Sequence, residues 1–534
     1  MLRSTSRIVL PALCCLIGSL ALFSRAAATP ASPGQLGTVN FPTSCSASAQ
    51  PKMITGLAYL HSFQYSQAAD TFHEAAEADP HCAMAHWGQA MSLYHQLWDF
   101  PQPDTLAEGL KHVEEAQKIG ASTDRERAYI AAAAAFYQND AKLTHLQRLQ
   151  AYSAAAAKLH QQFPDDVEAA AFYALSEVAL AYEDSDNDAA HRTAAIAVLE
   201  PLLKTNPDNP GLAHYMIHAT DSPKFASQGL AAARSYAKIA PDSSHAIHMP
   251  SHIFVDLGLW QESIDSNIAA AAAGSHAAEM HHSDFHYQTH PMDFLNYCYL
   301  QAGQEAKARA ITTDTQHVTG ASDEDKAAFS STFSARNAME LHRWKEAAAL
   351  AVPNIKLRWQ DTTYWARTIG AARSGDRASA RANLEKLKQT IVEREKFAKE
   401  QGYTVPSEKP TDLAEAEAWI LFGEGKQDEA LKDLGAAADR EDKEGDHSMN
   451  MPAREMLADM LLELKRPADA LNEYKVALKN SPNRFDSVYG AALAAKDSGD
   501  AKSAHEYEAK LVEISGPGAD RPELATVRTL LAKQ

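Results

Sequence analysis

Residues 56–80 read "GLAYLHSFQYSQAADTFHEAAEADP". Gly56 and Ala68 are small enough to let two helices approach closely. Phe72 fills the space between neighbouring helices, Tyr59 and Ala75 keep the helical spacing, and Pro80 stops the second helix. The same order returns far downstream at Leu457, Ala458, Leu461, Ala470, Tyr474, Ala477 and Pro482, with Tyr474 in the filling role. A pattern of this detail, repeated at both ends of one chain, marks a helical pair as the building unit.

The spacing resembles the tetratricopeptide (TPR) consensus, a 34-residue helix-turn-helix unit. Weaker copies lie between, among them "AHWGQAMSLY", "AHYMIHAT", "SHIFVDLGLWQESIDSN", "FLNYCYLQAGQEAKARA" and "AWILFGEGKQDEALKDL". Alanine runs such as "AAAAAF" favour helix, and no strand-like alternation is sustained anywhere. The expected fold is therefore all-α, a TPR-type α-solenoid of stacked helical pairs. At 534 residues and 45% apolar content the chain can build a long buried core. Longer, less regular helices are expected near 124–137, 143–162 and 165–182. An extended arm is read over 29–48, a first array over 49–402, a linker at 403–412 ("YTVPSEKPTD") and a second array over 413–534. The run "DREDKEGDH" at 439–447 reads as a solvated loop.

Residues 1–28 read as a secretory signal, with Arg3 and Arg7 before the apolar run 8–23 and Ala26-Ala27-Ala28 as cleavage site. No later stretch is apolar enough to anchor the mature chain in a membrane. Export to the periplasm or the exterior is the expectation. The formal charge is −19. The signal carries three Arg and no acid, so the mature chain stands near −22. That charge argues against nucleic acid as partner and suits plain solubility. Of the cysteines outside the signal, Cys298 lies in the apolar "LNYCYL" and is expected buried and free.

Over half of the mature chain resembles a family of exported bacterial TPR proteins. The stretches that carry this are "FPTSCSASAQ", "DPHCAMAHWGQAMSLYHQLW", "TDRERAYIAAAAAFY", "PGLAHYMIHATDSP", "HAIHMPSHIFVDLGLWQESIDSN" and "DFLNYCYLQAG", with HYxIH and HAxHMPSHIF histidine motifs among them. The chain departs from that pattern at Asn209, Pro291, Asn296 and Cys298. The resemblance implies an α-solenoid and brings no established reaction. Export, the apolar setting of Cys298 and the family-like context of Cys45 and Cys82 together imply a disulfide between those two.

The histidines carry the chemistry. His214 and His218 are four apart, as are His248 and His252, so each pair shares a helix face. The pairs are offset by 34 residues, and Pro207 and Pro241 keep the same offset. Both pairs therefore fall on the first helix of consecutive repeats, the helix whose residues the resemblance turns toward the concave groove. His245 precedes the second pair. Matching "DLG" at 256–258 to "QAG" at 301–303 implies an 11-residue insertion and brings His290 and Asp293 into register with His245 and His248. The stretch "HHSDFH" then becomes a connector, and Pro250 either starts or kinks the second helix. His61 and His95, again 34 apart, are expected in the groove, in a second small site with Trp87 and Trp98.

Three readings compete. A transition metal, Zn or Cu, would be held by His214, His218, His245, His248, His252, His290 and Asp293, with Asp221 as ligand or support. A protein, peptide or small molecule would instead lie in a groove of His61, Trp87, His95 and Tyr215. The bland reading makes the histidines satisfied structural residues. No HExxH, G-x-S-x-G or Walker motif is present. The function expected is an exported scaffold or binding protein with a histidine-rich site. The alternative is a metal-dependent hydrolase or oxidoreductase. A metal site of neutral imidazoles should weaken below about pH 6.

Overall fold

The computed structural model describes residues 35–97, 100–138, 143–279, 285–401, 403, 405, 407–445 and 449–532. The signal-like segment, Trp98 and residues 281–284 of the histidine-rich connector lie outside them. Among the described residues the regular structure is helical, with no strand. Helices follow one another as pairs: Gln50–His61 with Tyr65–Ala78, Pro210–Thr220 with Ala226–Ile239, Ala453–Glu463 with Pro467–Asn480, and others between. None is long and apolar enough to cross a membrane.

The opening motif works by close approach. A Cβ on Gly56 would meet the Phe72 ring at 2.8 Å, and one on Gly88 at 2.4 Å. One ring thus wedges between the first helices of two successive pairs, and only glycine leaves room on either side. Gly490 and Tyr474 repeat the arrangement at 2.3 Å. Ala68 and Ala470 are fully buried where paired helices touch. The less regular helices run Asp124–Phe136, His145–Gln162 and Val167–Glu183, close to expectation.

Many pairs turn through a short loop with one residue in the left-handed region. Gly258, Gly303, Gly375, Gly425 and Gly499 stand there with φ between 65° and 86°. Phe63, His342 and Lys465 hold the same conformation without being glycine. The equivalent glycines of 256–258 and 301–303 fix the register left open in the sequence, and the insertion falls between Trp260 and His286, where helix Trp260–Glu279 is longer than its counterpart Ala226–Ile239. Helix His286–Gln301 is then the first helix of its pair.

Two readings change. Pro250 belongs to neither option foreseen for it. It opens Pro250–Asp256, a continuation of Ser244–His248 in the first-helix position, while the second helix is Trp260–Glu279. Proline fits at a helix start because its missing N–H would be unpaired there. The run 439–447 is not a solvated loop over its described part. It closes helix Gln427–Glu444, where Arg454 gathers Asp439 and Asp442 at 2.6 Å each. Residues 446–448 lie outside the described residues.

Cys45 and Cys82 stand at disulfide distance, Cα–Cα 4.8 Å, and tie the non-helical segment before Gln50 to the end of the first pair. Cys298 is buried and free. The last pairs do not touch only their chain neighbours. Trp260 Nε1 donates to the Asn483 carbonyl at 2.9 Å, and the Gly516 N–H to that of Ala302 at 2.9 Å. Arg484, fully buried, bridges Glu340 and Glu455 at 2.9 Å each.

Candidate metal centre

Six of the singled-out histidines come together as two groups of three, His214–His218–His245 and His248–His252–His290. Within each group one ring nitrogen per residue lies within 4.8 Å of the others. The stretch 245–254 is therefore divided. His245 reaches back to the 210–220 helix, while His248 and His252 face the 286–301 helix. The break at Met249–Pro250 lets one segment serve two neighbours.

The protonation pattern follows from the partners. His214 Nδ1 donates to the His61 carbonyl at 2.6 Å, one of the last carbonyls of its helix and so without a helical partner. His248 Nδ1 donates to Asn267 Oδ1 at 2.6 Å, whose orientation is set because Asn267 Nδ2 donates to the Ser263 carbonyl. His252 Nδ1 donates to Asp221 Oδ2 at 3.0 Å. In the neutral ring each of these leaves Nε2 as a bare lone pair. The Nε2 atoms of His248 and His252 are 3.1 Å apart. Two lone pairs facing at that distance need a cation between them. The His214 lone pair lies 3.0 Å from the Nε2 of both His218 and His245. Tetrahedral zinc with about 2.05 Å bonds would set its nitrogens about 3.3 Å apart.

In the first group a proton is a poor candidate for that cation. Burial pushes the His214 imidazolium pKa down to about 3. Burial and then His214 lower His218 and His245, and burial and then His290 lower His248. These four imidazoles are thus held in the neutral form that metals bind.

One phenylalanine ring packs on each group. Phe63 lies 4.4, 5.6 and 5.7 Å from the rings of His214, His218 and His245, and Phe294 lies 4.9, 4.8 and 5.2 Å from those of His248, His252 and His290. Phe63 holds φ +53° at a turn position that glycine fills in several other pairs. Tyr287 OH donates to the Phe63 carbonyl at 3.1 Å, tying this turn to the helix that bears His290. Sequence reading missed both rings and Asn267. The signal available was a bulky residue at a glycine position, and the unused end of "QESIDSN".

The remaining candidates go elsewhere. Asp293 is not among the converging ligand atoms. Its Oδ1 accepts from Arg336 at 2.7 Å, because that buried guanidinium needs a carboxylate. His61, Trp87 and Tyr215 do not line an open groove. His61 is fully buried, bonded to Tyr215 OH and Glu168 at 2.8 Å each, and Trp87 packs among Phe41, Phe72, Tyr129 and Phe172. Core polar groups must be paired, and these are. His95 stacks on Tyr65 at 4.0 Å and borders a cavity of about 400 Å³ with Phe100, Gln102, Thr105, Gln401 and Tyr403, apart from both histidine groups. The departures have structural uses. Asn209 caps the 210–220 helix through the Leu212 N–H and donates to Glu168. Asn296 joins Asn337, Arg336 and the Ala308 carbonyl.

The chain contains tetratricopeptide repeats: the family model of that description matches residues 55–120 and 415–485. No curated protein sequence matches the chain. Among solved structures, the human IFIT1 dimer with m7Gppp-AAAA is 13% identical, covers 85% of this chain and 94% of that one, and has TM-score 0.37. Naa15/Naa10 bound to HypK-THB is 10% identical, with 91% of each chain covered and TM-score 0.24. Scores this low carry no argument about what this chain binds.

Proposed function

We propose that this is an exported TPR-type scaffold whose first helices hold transition-metal ions on the two histidine groups. TPR arrays are binding platforms, and the coarse class of scaffold or binding protein follows from the repeats themselves. The observation that carries the metal is the meeting of Nε2 atoms at 3.0–3.1 Å with Nδ1 already committed on His214, His248 and His252. Sets of three imidazoles suit Zn or Cu. Export is supported by the signal-like residues 1–28 and by the Cys45–Cys82 pair, since disulfides persist in oxidising compartments.

Elemental analysis of metal-stripped protein after exposure to Zn or Cu and desalting tests the reading. The wild type is expected to retain metal, and His214→Ala with His252→Ala to lose most of it. A wild type that stays metal-free with both ions refutes the metal reading and leaves a peptide or small-molecule partner as the alternative.

A further inference from the structure

We propose that the two groups are inequivalent: His214, His218 and His245 take a monovalent copper ion, and His248, His252 and His290 a divalent ion with an exchangeable outer ligand. This rests on the metal reading above and adds the charge and accessibility of each site.

Both groups offer neutral nitrogen donors and no anionic donor, so the difference lies in their surroundings. The cost of moving an ion out of water grows with the square of its charge, so a dry neutral cage penalises a dication about four times as much as a monocation. The first group is closer to such a cage, with two of its rings buried and His245 half-buried. His214 and His218 are 0% and 2% exposed. Phe63 covers all three rings, and Tyr236 stacks on His214 at 5.0 Å. The hydrogen-bond partner behind His214 is a neutral carbonyl. The guanidinium beside the group, Arg192, donates to the His218 and Ala219 carbonyls at 2.9 and 3.4 Å and pairs with Asp188, adding no negative charge at the rings. Glu168 is bonded to His61 and Asn209, not to this group.

The second group differs on both counts. Asp221 sits directly behind His252, the carboxylate–histidine–metal arrangement that raises ligand basicity and offsets a second positive charge. His290 is exposed even though His248, His252 and Phe294 crowd one side of its ring, which leaves the fourth position of this ion reachable from solvent. An enclosed neutral site and an open carboxylate-backed site, joined through the segment that carries both His245 and His248, select ions of different charge.

The test uses the full chain stripped of metal. Anaerobic competition with bicinchoninate measures copper(I), and competition with a zinc dye measures Zn. The wild type is expected to bind one copper(I) and one Zn together. Asp221→Asn keeps the shape and is expected to weaken Zn by roughly 10–100-fold while leaving copper(I) unchanged. His214→Ala/His218→Ala is expected to lose copper(I) and keep Zn, with retained helicity as the check on folding. Zn filling both groups with one affinity, or Asp221→Asn weakening both ions alike, overturns the inequivalence and leaves the metal reading standing. Failure of the wild type to hold either ion overturns both.

Discussion

Replacing Phe63 by alanine and, separately, by glycine separates two energies held at one turn. The ring is 2% exposed and touches three imidazoles. Truncating a buried phenylalanine to alanine costs about 3–5 kcal/mol. The backbone at φ +53° opposes that loss, because an L side chain in the left-handed region costs roughly 1–2 kcal/mol and glycine does not. Both variants lose the ring, but only Phe63→Gly sheds the strain. The glycine variant should therefore be the more stable by about 1 kcal/mol, reversing the usual order within helices, where glycine is the poorer by roughly 0.5–1 kcal/mol. Long repeat arrays need not unfold in one step. Native-state hydrogen exchange over 50–78, followed by mass spectrometry, reads the opening energy of this pair directly. An alanine variant as protected as the glycine variant, or more so, refutes the strain argument.

Two further outcomes are expected. Cys45→Ser/Cys82→Ser removes a cross-link spanning 37 residues, which chain entropy values at roughly 3–4 kcal/mol, so its unfolding midpoint in denaturant should fall and match that of reduced wild type. Glu415 is buried against Trp365 Nε1 at 2.7 Å, and burial, then Glu441, raises its pKa well above the usual range. The folded state therefore binds that proton more tightly than the unfolded chain, and stability should fall as pH rises from about 4.3 through the folded value. Glu415→Gln should abolish that slope and stabilise the protein at pH 7. An unchanged pH profile of thermal unfolding would argue against a raised carboxyl.

The fold is legible in the sequence because its evidence is local. Gly56, Phe72 and Pro80 sit within 25 residues, and the 34-residue offset of His214 from His248 follows from one repeat length. The division of the histidines is not legible. It depends on the break at Pro250, which turns His245 to one neighbour and His248 to another, and on the length of a connector that no repeat dictates. Phe63 is invisible to a consensus because a consensus records what a turn position prefers, not what it tolerates under strain. The Asp293–Arg336 pair is not legible because Arg336 lies on the first helix of the next pair and the ion pair is chosen in three dimensions.

The contact between Trp260 and Asn483 spans 223 residues. At roughly 5–20 residues per second, synthesis needs about 10–45 s to supply the second partner after the first. Until then the pair that begins with Ser244 and the pair that begins with His286 stand without their far neighbours, although all six clustered imidazoles are made within the first part of that interval. A nascent chain thus carries the full donor set on a scaffold still missing its last brace. Contacts of such long range also slow folding, because chain must be closed into a loop before they form. The order in which the histidine groups and the brace are completed then becomes a matter of kinetics, set by when the last helices emerge.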